Sequence, residues 1–316
     1  MPKVSVVVPN YNYARFLERR LGSILDQSYG DFELIYLDDC STDDSDLVLE
    51  GFLGDPRIRV VRNEHNSGNA FAQFNKGVRL AQGEYVWVAQ ADDEADPDFL
   101  TRTVASLEAN PGVGLVYCQS LAVDEDGAVL HSLERRTDAL DPERWKHDHV
   151  NDGRDECRRF LLFKNTIPNA SAVLFRRDVL MRAGLADESL TLAPDWRLYV
   201  DMLLMSDVAY LARPMNRFRM HGASIRRRTE REGLEIEEGY RMLAYLRERL
   251  ELSDAHFEAA SRQLARKWVR KSLRWRDGIP LRTSLRMRRR ALEVDPRLHA
   301  HLLHGLLPAR RRISAQ

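Results

Sequence analysis

Cysteine is almost missing: Cys40, Cys118 and Cys157 are the three in 316 residues. An odd, widely spaced set builds no disulfide framework, and no CxxC pair offers a structural zinc site. A reducing cytoplasm is the expected compartment. No run of about 18 apolar residues occurs, so no membrane-spanning helix is expected. Val4–Val8 is too short for the apolar core of a secretory leader and runs straight into Pro9-Asn10. Neither a Walker-type loop nor a dinucleotide glycine fingerprint is present, which argues against ATPases and dehydrogenases. Net charge is missing too, with 48 Lys+Arg against 48 Asp+Glu. That balance conceals a split. Arg262–Arg312 carries 16 basic and 3 acidic residues, or +13, which leaves 32 basic and 45 acidic residues elsewhere, or −13. An acidic body with a basic tail is expected to meet something anionic.

What is present is an alternation of strands and helices. Val4–Val8, four β-branched valines around Ser5, suits a strand buried on both faces. Phe16–Gln27 has helical spacing, Phe32–Leu37 is strand-like, and Leu47–Phe52 is helical. Ile58–Val61, Ala70–Ala81 with Gly83 as its C-cap, Tyr85–Ala89, Phe99–Ala109 and Val113–Tyr117 continue the alternation. Such spacing predicts an α/β fold, a parallel doubly wound sheet flanked by helices. Asp124–Asp155 is charged and reads as irregular. Further elements are expected at Arg158–Lys164 (helix), Ala170–Phe175 (strand), Asp178–Ala183 (helix ended by Gly184), Trp196–Met205 (helix) and Val208–Leu211 (strand). From about Glu230 the chain reads as helical, broken at Gly278-Ile279-Pro280 and at Asp295-Pro296.

Ligands of open α/β sheets bind at the carboxyl ends of strands. Asn10-Tyr11-Asn12, Asp38-Asp39 and Asp92-Asp93 each follow a strand, so three polar clusters should converge on one edge. Paired carboxylates there suit a hard divalent cation bridging phosphate oxygens. A further carboxylate or histidine could take a proton from an acceptor hydroxyl. Asp38 and Asp43 read as local caps, and Glu94 as solvated.

The ordered blocks Pro9-Asn10-Tyr11-Asn12, Gln27-Ser28-Tyr29, Leu37–Asp43, Asn66-Ser67-Gly68, Ala91-Asp92-Asp93, Asn169-Ala170-Ser171, Pro194-Asp195-Trp196 and Arg219-Met220-His221 resemble the family 2 glycosyltransferases of the GT-A fold. The resemblance spans about Val4 to Ser224 and is not evident after Arg228. It implies a catalytic domain over 1–228, with a nucleotide-sugar half (1–120) and an acceptor half (121–228), followed by a basic helical extension over 229–316. It further implies inverting, metal-dependent transfer of a sugar from a nucleotide-diphosphate sugar, UDP-linked, to a glycan or lipid-linked acceptor in surface polysaccharide synthesis. In this reading Tyr11 stacks on the base beside Pro9, with Asn12 and Asn66 in the donor loops. Asp39 accepts from the base N–H. Asp92 binds the ribose, or the sugar through a metal-bound water. Asp93 ligates Mn²⁺ or Mg²⁺, and His221 reaches the metal or diphosphate. Arg219 helps close the donor loop, and Asp195 is the general base. Two departures stand out. Pro194 replaces the carboxylate that often precedes the base, and Cys40 stands where glycine is frequent, so a less extreme φ is expected there.

Rival readings remain. A catalytically silent nucleotide-sugar binder or membrane-associated assembly protein would keep the loops without the base. The basic tail reads as a solvated face, or as a surface on which Trp268, Leu273 and Trp275, flanked by arginines and lysines, meet an anionic membrane at its inner face. Nucleic acid is not an expected partner, since no aromatic platform or helix-turn-helix pattern accompanies the charge. His299, His301 and His304 read as exposed residues of an amphipathic helix.

Overall fold

The computed structural model describes residues 1–221, 232–273 and 278–306. Ser224, Arg228, Arg274, Trp275, Arg276 and Arg310–Arg312, which figure in the sequence reading, lie outside them.

The first half alternates as its sequence predicts. The order is β1 (Val4–Asn10), α1 (Ala14–Leu25), β2 (Phe32–Asp38), α2 (Ser45–Glu50), β3 (Ile58–Arg62), α3 (Ala70–Leu80) and β4 (Tyr85–Val88). A two-residue β5 (Glu94–Ala95), α4 (Phe99–Ala109) and β6 (Val113–Val123) follow. β1 is buried along its whole length. Its alternate residues explain why: Val4, Val6 and Val8 join Leu17, Leu21 and Leu100 in one apolar layer, while Val7 joins Phe74 and Val78 in the other. A strand covered on both faces favours a near-continuous apolar run. The four valines of Val4–Val8 supply it, and the buried hydroxyl of Ser5 between them is satisfied by Glu33 and by Gln82 N and Gly83 N.

Gly83 does not cap α3. The helix ends at Leu80, and the backbone of Ala81 after it is already extended. Gly83 instead lies against β1, where a Cβ would sit 2.7 Å from the Ser5 nitrogen and 2.8 Å from the Val4 carbonyl carbon. Close backbone approach, not a left-handed turn, requires glycine there.

The second half departs further from the pattern. β7 (Val129–Ser132), β8 (His149–Asn151), α5 (Gly153–Glu156), β9 (Val173–Arg176), α6 (Arg177–Arg182), α7 (Pro194–Leu203) and β10 (Asp207–Arg219) complete it. α5 continues as a wider π-helical turn, Cys157–Leu161. The sheet order is β3-β2-β1-β4-β9-β6-β10-β5. β3, β2, β1 and β4 are mutually parallel. β9 enters antiparallel between β4 and β6, so the sheet is mixed rather than uniformly parallel. The reversal begins at Ala170–Ala172, expected as strand but a 3₁₀ turn capped by the Asn169 side chain. β10 runs 13 residues where four were expected. Pro214 hides its continuity in the sequence, and the register shifts on either side of Pro214 accommodate that residue.

The C-terminal helices are α8 (Leu234–Arg249), α9 (Asp254–Ser272), α10 (Leu281–Val294) and α11 (Leu298–Gly305). Ile236, Tyr240, Leu243, Trp268, Met287 and Leu298 belong to the same apolar layer as Phe74, Phe175 and Tyr199. Two expectations fail for that reason. Trp268 is buried and donates to Ser284 Oγ at 3.2 Å, so it presents no ring to a surface. His301 is buried and bonded through Nδ1 to Asp295 at 2.7 Å, rather than exposed. Among the described residues no helix is long and apolar enough to cross a membrane.

Candidate active site

β2, β1 and β4 are neighbours with parallel register, so the loops after Asp38, Asn10 and Val88 open on one edge. Asn10 ties two of them together: its Nδ2 donates to Ser41 Oγ and Ser45 Oγ, both at 3.0 Å. Asp38 and Asp43, expected as caps of the following helix, brace the loops instead, and the N-cap residue of α2 is Asp44. Asp38 Oδ2 accepts from Ser41 N at 3.0 Å, and Asp43 Oδ2 accepts from Ala14 N at the start of α1 at 2.8 Å. Asn12 adopts φ 59° and joins the same seam, accepting from Thr42 N at 2.7 Å. Pro9 is buried in β1, and Tyr11 projects from the loop with 45% of its surface exposed.

The turn after Asp39 corrects one expectation. Cys40 holds φ at +64°, so the left-handed geometry is retained although glycine is not. The surrounding bonds impose it: Asp39 N donates to Asn10 O at 2.9 Å, and Ser41 N to Asp38.

Asp39 is buried and well supplied with donors. Asn63 Nδ2 at 2.6 Å, Ser67 N at 2.9 Å and Gln73 Nε2 at 3.0 Å donate to Oδ1. Oδ2 accepts from Ser67 Oγ at 2.7 Å and keeps lone-pair capacity. Asn66 braces this loop, donating to Asp39 O at 3.1 Å and accepting from Gly68 N at 2.6 Å.

The acidic pair divides sharply. Asp93 is 2% exposed, and its Oδ1 accepts from Arg219 N at 2.9 Å. Ser171 also bonds to it. Burial, and then the charge of Asp92, push its carboxyl above the usual carboxylate range, and Arg20 partly restores it. Arg20 lies wholly buried against the Trp87 ring, and its guanidinium nitrogens have no hydrogen-bond partner among the described residues. Burial pulls Arg20 down to about 10, and Asp93 and Asp92 hold it up, so it remains a cation beneath two carboxylates. Asp92 is half-buried, and its Oδ2 meets His221 Nε2 at 2.9 Å. The His221 ring packs edge-on against Tyr13 at 5.7 Å and against Phe16 at 5.5 Å. Thus the end of β10, the loop after β1 and the loop after β4 meet at the Asp92–His221 pair.

Arg219 sits behind this pair, not in front of it. Its side chain is buried, donating to Asp92 O at 2.8 Å, Asp124 O at 2.8 Å and Glu125 O at 3.0 Å, and pairing with Glu94. Glu94 is therefore half-buried and paired, where solvation was expected. Arg219 acts as a clamp on the acidic loop. Asp195 lies in the first turn of α7, after Pro194. Its Oδ1 accepts from Trp196 N at 2.7 Å and its Oδ2 from Asn165 Nδ2 at 3.3 Å. Sequence reasoning missed Arg20, Ser171 and Tyr13 as neighbours of the acidic loop. Nothing in their local pattern separates Arg20 and Tyr13 from ordinary core or loop residues, and Ser171, although part of the Asn169-Ala170-Ser171 block, is given no role by the resemblance.

A carboxylate suits a manganese or magnesium ion, and an imidazole beside it suits manganese better than the all-oxygen preference of magnesium. No cluster of three or more His, Cys, Asp or Glu completes a cage among the described residues.

The model of glycosyl transferase family 2 matches residues 5–184, more than half of the chain, and the chain belongs to that family. Asp195, Arg219 and His221 lie beyond the matched stretch. The glycosyltransferase GlyG of Streptococcus pneumoniae serotype 4 is 41% identical over 118 residues, covering 36% of this chain and 39% of GlyG. Chondroitin synthase of Escherichia coli is 30% identical over 149 residues, covering 44% of this chain and 21% of the synthase. In curated relatives the match takes in less than two thirds of the relative's own length, and as little as 16%. The fold is GT-A. Staphylococcus aureus TarS 1-349, solved in complex with UDP-GlcNAc, superposes with TM-score 0.67 over 95% of this chain and 84% of that one, at 18% identity. The mannosyltransferase PcManGT from Pyrobaculum calidifontis, solved with GDP-Man and Mn²⁺, gives TM-score 0.57 over 96% and 86%, at 19% identity.

Proposed function

We propose that this chain is an inverting glycosyltransferase that moves a sugar from a UDP-linked donor to a hydroxyl of a glycan or lipid-linked acceptor, in the assembly of a surface polysaccharide. The observation that carries the reading is the Asp92–His221 contact at the carboxyl edge of β4, beside the Tyr11 and Asp39 loops. Exposed Tyr11 stacks on the base, with Pro9 and Asn12 shaping its loop. The remaining lone pairs of Asp39 accept the uracil N–H, and Asn66 holds that loop closed. Asp195 takes the proton from the attacking hydroxyl as the anomeric bond to the diphosphate breaks, a single displacement that inverts the sugar.

A bound Mn²⁺ or Mg²⁺ would neutralise the charge that builds on the leaving diphosphate. Asp92 and His221 are the residues that would hold it. Asp93 would serve from behind, because its buried Oδ1 is already committed to Arg219. This moves the metal role that the motif alone suggests for Asp93 to Asp92. The TarS and PcManGT complexes support a nucleotide-sugar donor, and PcManGT the metal. Chondroitin synthase supports a glycan product.

The silent-binder alternative keeps the nucleotide site and lacks turnover. Asp195→Asn distinguishes them. A transferase loses about 10²–10⁴-fold in kcat while its UDP affinity holds; a protein with no turnover to lose is a binder.

A further inference from the structure

We propose that Glu238, in the C-terminal extension, is a positioning residue for the loop that bears Asp195. This rests on the reading of Asp195 as the base. Glu238 is 3% exposed, and its carboxylate receives three consecutive backbone N–H groups: Thr191 N on Oε1 at 2.8 Å, then Leu192 N at 2.8 Å and Ala193 N at 2.7 Å on Oε2. Ala193 is the residue that caps α7, and Asp195 follows two positions later. Successive amides of this kind form an anion-binding concavity, and a charged acceptor makes each bond shorter and stronger. A negative charge at the start of α7 also complements the helix dipole.

The contact is one end of a clasp. Seven residues after Glu238, two helical turns or about 10 Å along α8, the Tyr245 hydroxyl bonds to Asp201 Oδ1. Arg197 lies over the Tyr245 ring at 3.2 Å and donates to Asp201 Oδ2 at 2.9 Å. α8 therefore holds α7 before its first turn and again two turns on. From the other side, Asn75 of α3 donates to Ala186 O at 2.9 Å and Glu188 Oε1 at 2.7 Å, and accepts from Ala186 N at 2.9 Å. α3 also carries Gln73, which bonds to Asp39. The segment before the base is strung between the nucleotide half and the extension, and among the described residues Glu238 is the charged group that grips its last three amides. A displacement of about 1 Å at a reacting group can cost about 10²-fold in rate, so the grip bears directly on turnover.

The test is Glu238→Gln, which keeps the shape, removes the charge and turns an amide NH₂ toward a peptide N–H. UDP release is measured on whichever of UDP-glucose, UDP-galactose, UDP-GlcNAc and UDP-glucuronate the wild type turns over fastest, with Asp195→Asn alongside. The expected result is a fall in kcat of about 10–100-fold with UDP affinity within about twofold. Thr191–Ala193 amides should exchange with deuterium faster while β1 and β4 stay protected, and Glu238→Asp should recover part of the rate. Full activity in Asp195→Asn overturns the base reading itself. Loss in Asp195→Asn with unchanged kcat in Glu238→Gln overturns the positioning role alone. So does a proportionate loss of UDP affinity, since that reports general unfolding. If Glu238→Gln does not fold, Tyr245→Phe at the other end of the clasp is read the same way: a lower kcat at constant UDP affinity supports the role, and an unchanged kcat rejects it.

Discussion

At the scale of single residues, the acidic motif is where chemistry and packing part. Both aspartates look alike in the sequence, but one meets an imidazole and the other a backbone amide and a serine. His221→Ala should therefore lower metal-dependent turnover by about 10²-fold or more while leaving the thermal midpoint within a few degrees, measured by UDP release and by calorimetry. Asp93→Asn should instead keep the bond from Arg219 N and a measurable share of turnover. A His221→Ala enzyme as active as wild type would remove the pair from the site. The loops bearing Tyr11, Asp39 and Asp92 were legible, because short polar clusters after apolar strands must lie on one sheet edge; His221 was singled out only by its block of the resemblance, well beyond the strand expected at Val208–Leu211. The orientation of Asp93 was not legible, since it depends on where β10 returns. Nor was the depth of Arg219, whose partners lie about 95 to 127 positions away.

At the scale of elements, boundaries followed the hydrophobic pattern wherever a segment was buried on regular faces; α4 matches its expected limits residue for residue. The failures have local causes. Pro214 interrupts the pattern of β10, Asn169 turns the start of an apparent strand into a 3₁₀ turn, and Gly83 looks like a cap because a close approach leaves no trace in one sequence. Gly83→Ala should destabilise the fold by about 1–3 kcal/mol in denaturant melts, since the added carbon meets backbone that cannot give way. In the extension, burial opposes ionisation of Glu235, but Lys267 and Lys271 outweigh it and hold the carboxyl down to about 2. A depressed carboxylate contributes stability above its unfolded pKa of about 4.3 and loses it as pH falls toward 2. Wild type should thus exceed Glu235→Gln by about 1–3 kcal/mol at pH 6, and the difference should shrink by pH 3 in urea titrations. A difference independent of pH would show that the ion pair contributes nothing.

At the scale of the whole molecule, the extension is part of the folded body as much as a tail. Its apolar residues complete the layer that α3 and α7 begin. What it leaves outside is the surface of α10, where Leu281 and Leu285 stand exposed beside Arg282, Arg286 and Arg289. Replacing Arg282 and Arg286 by glutamate should weaken binding to vesicles of anionic lipid and leave UDP binding unchanged, read by co-sedimentation against neutral vesicles; equal partitioning would reject a membrane role for this face. The fold class and the donor edge were readable because they depend on local periodicity. The clasp between α8 and α7 was not, because Glu238 is one of many charged residues on a helix and only the tertiary fold brings Thr191–Ala193 to it. The central claim is that Asp92 and His221 hold a cation for the diphosphate of a UDP-sugar. Calorimetric titration of UDP into wild type and Asp92→Asn, each with Mn²⁺ and with chelator, tests it most directly. The account predicts that wild type binds UDP at least about 10-fold more tightly with Mn²⁺ and that Asp92→Asn loses that gain; equal Mn²⁺ enhancement in both proteins would contradict it.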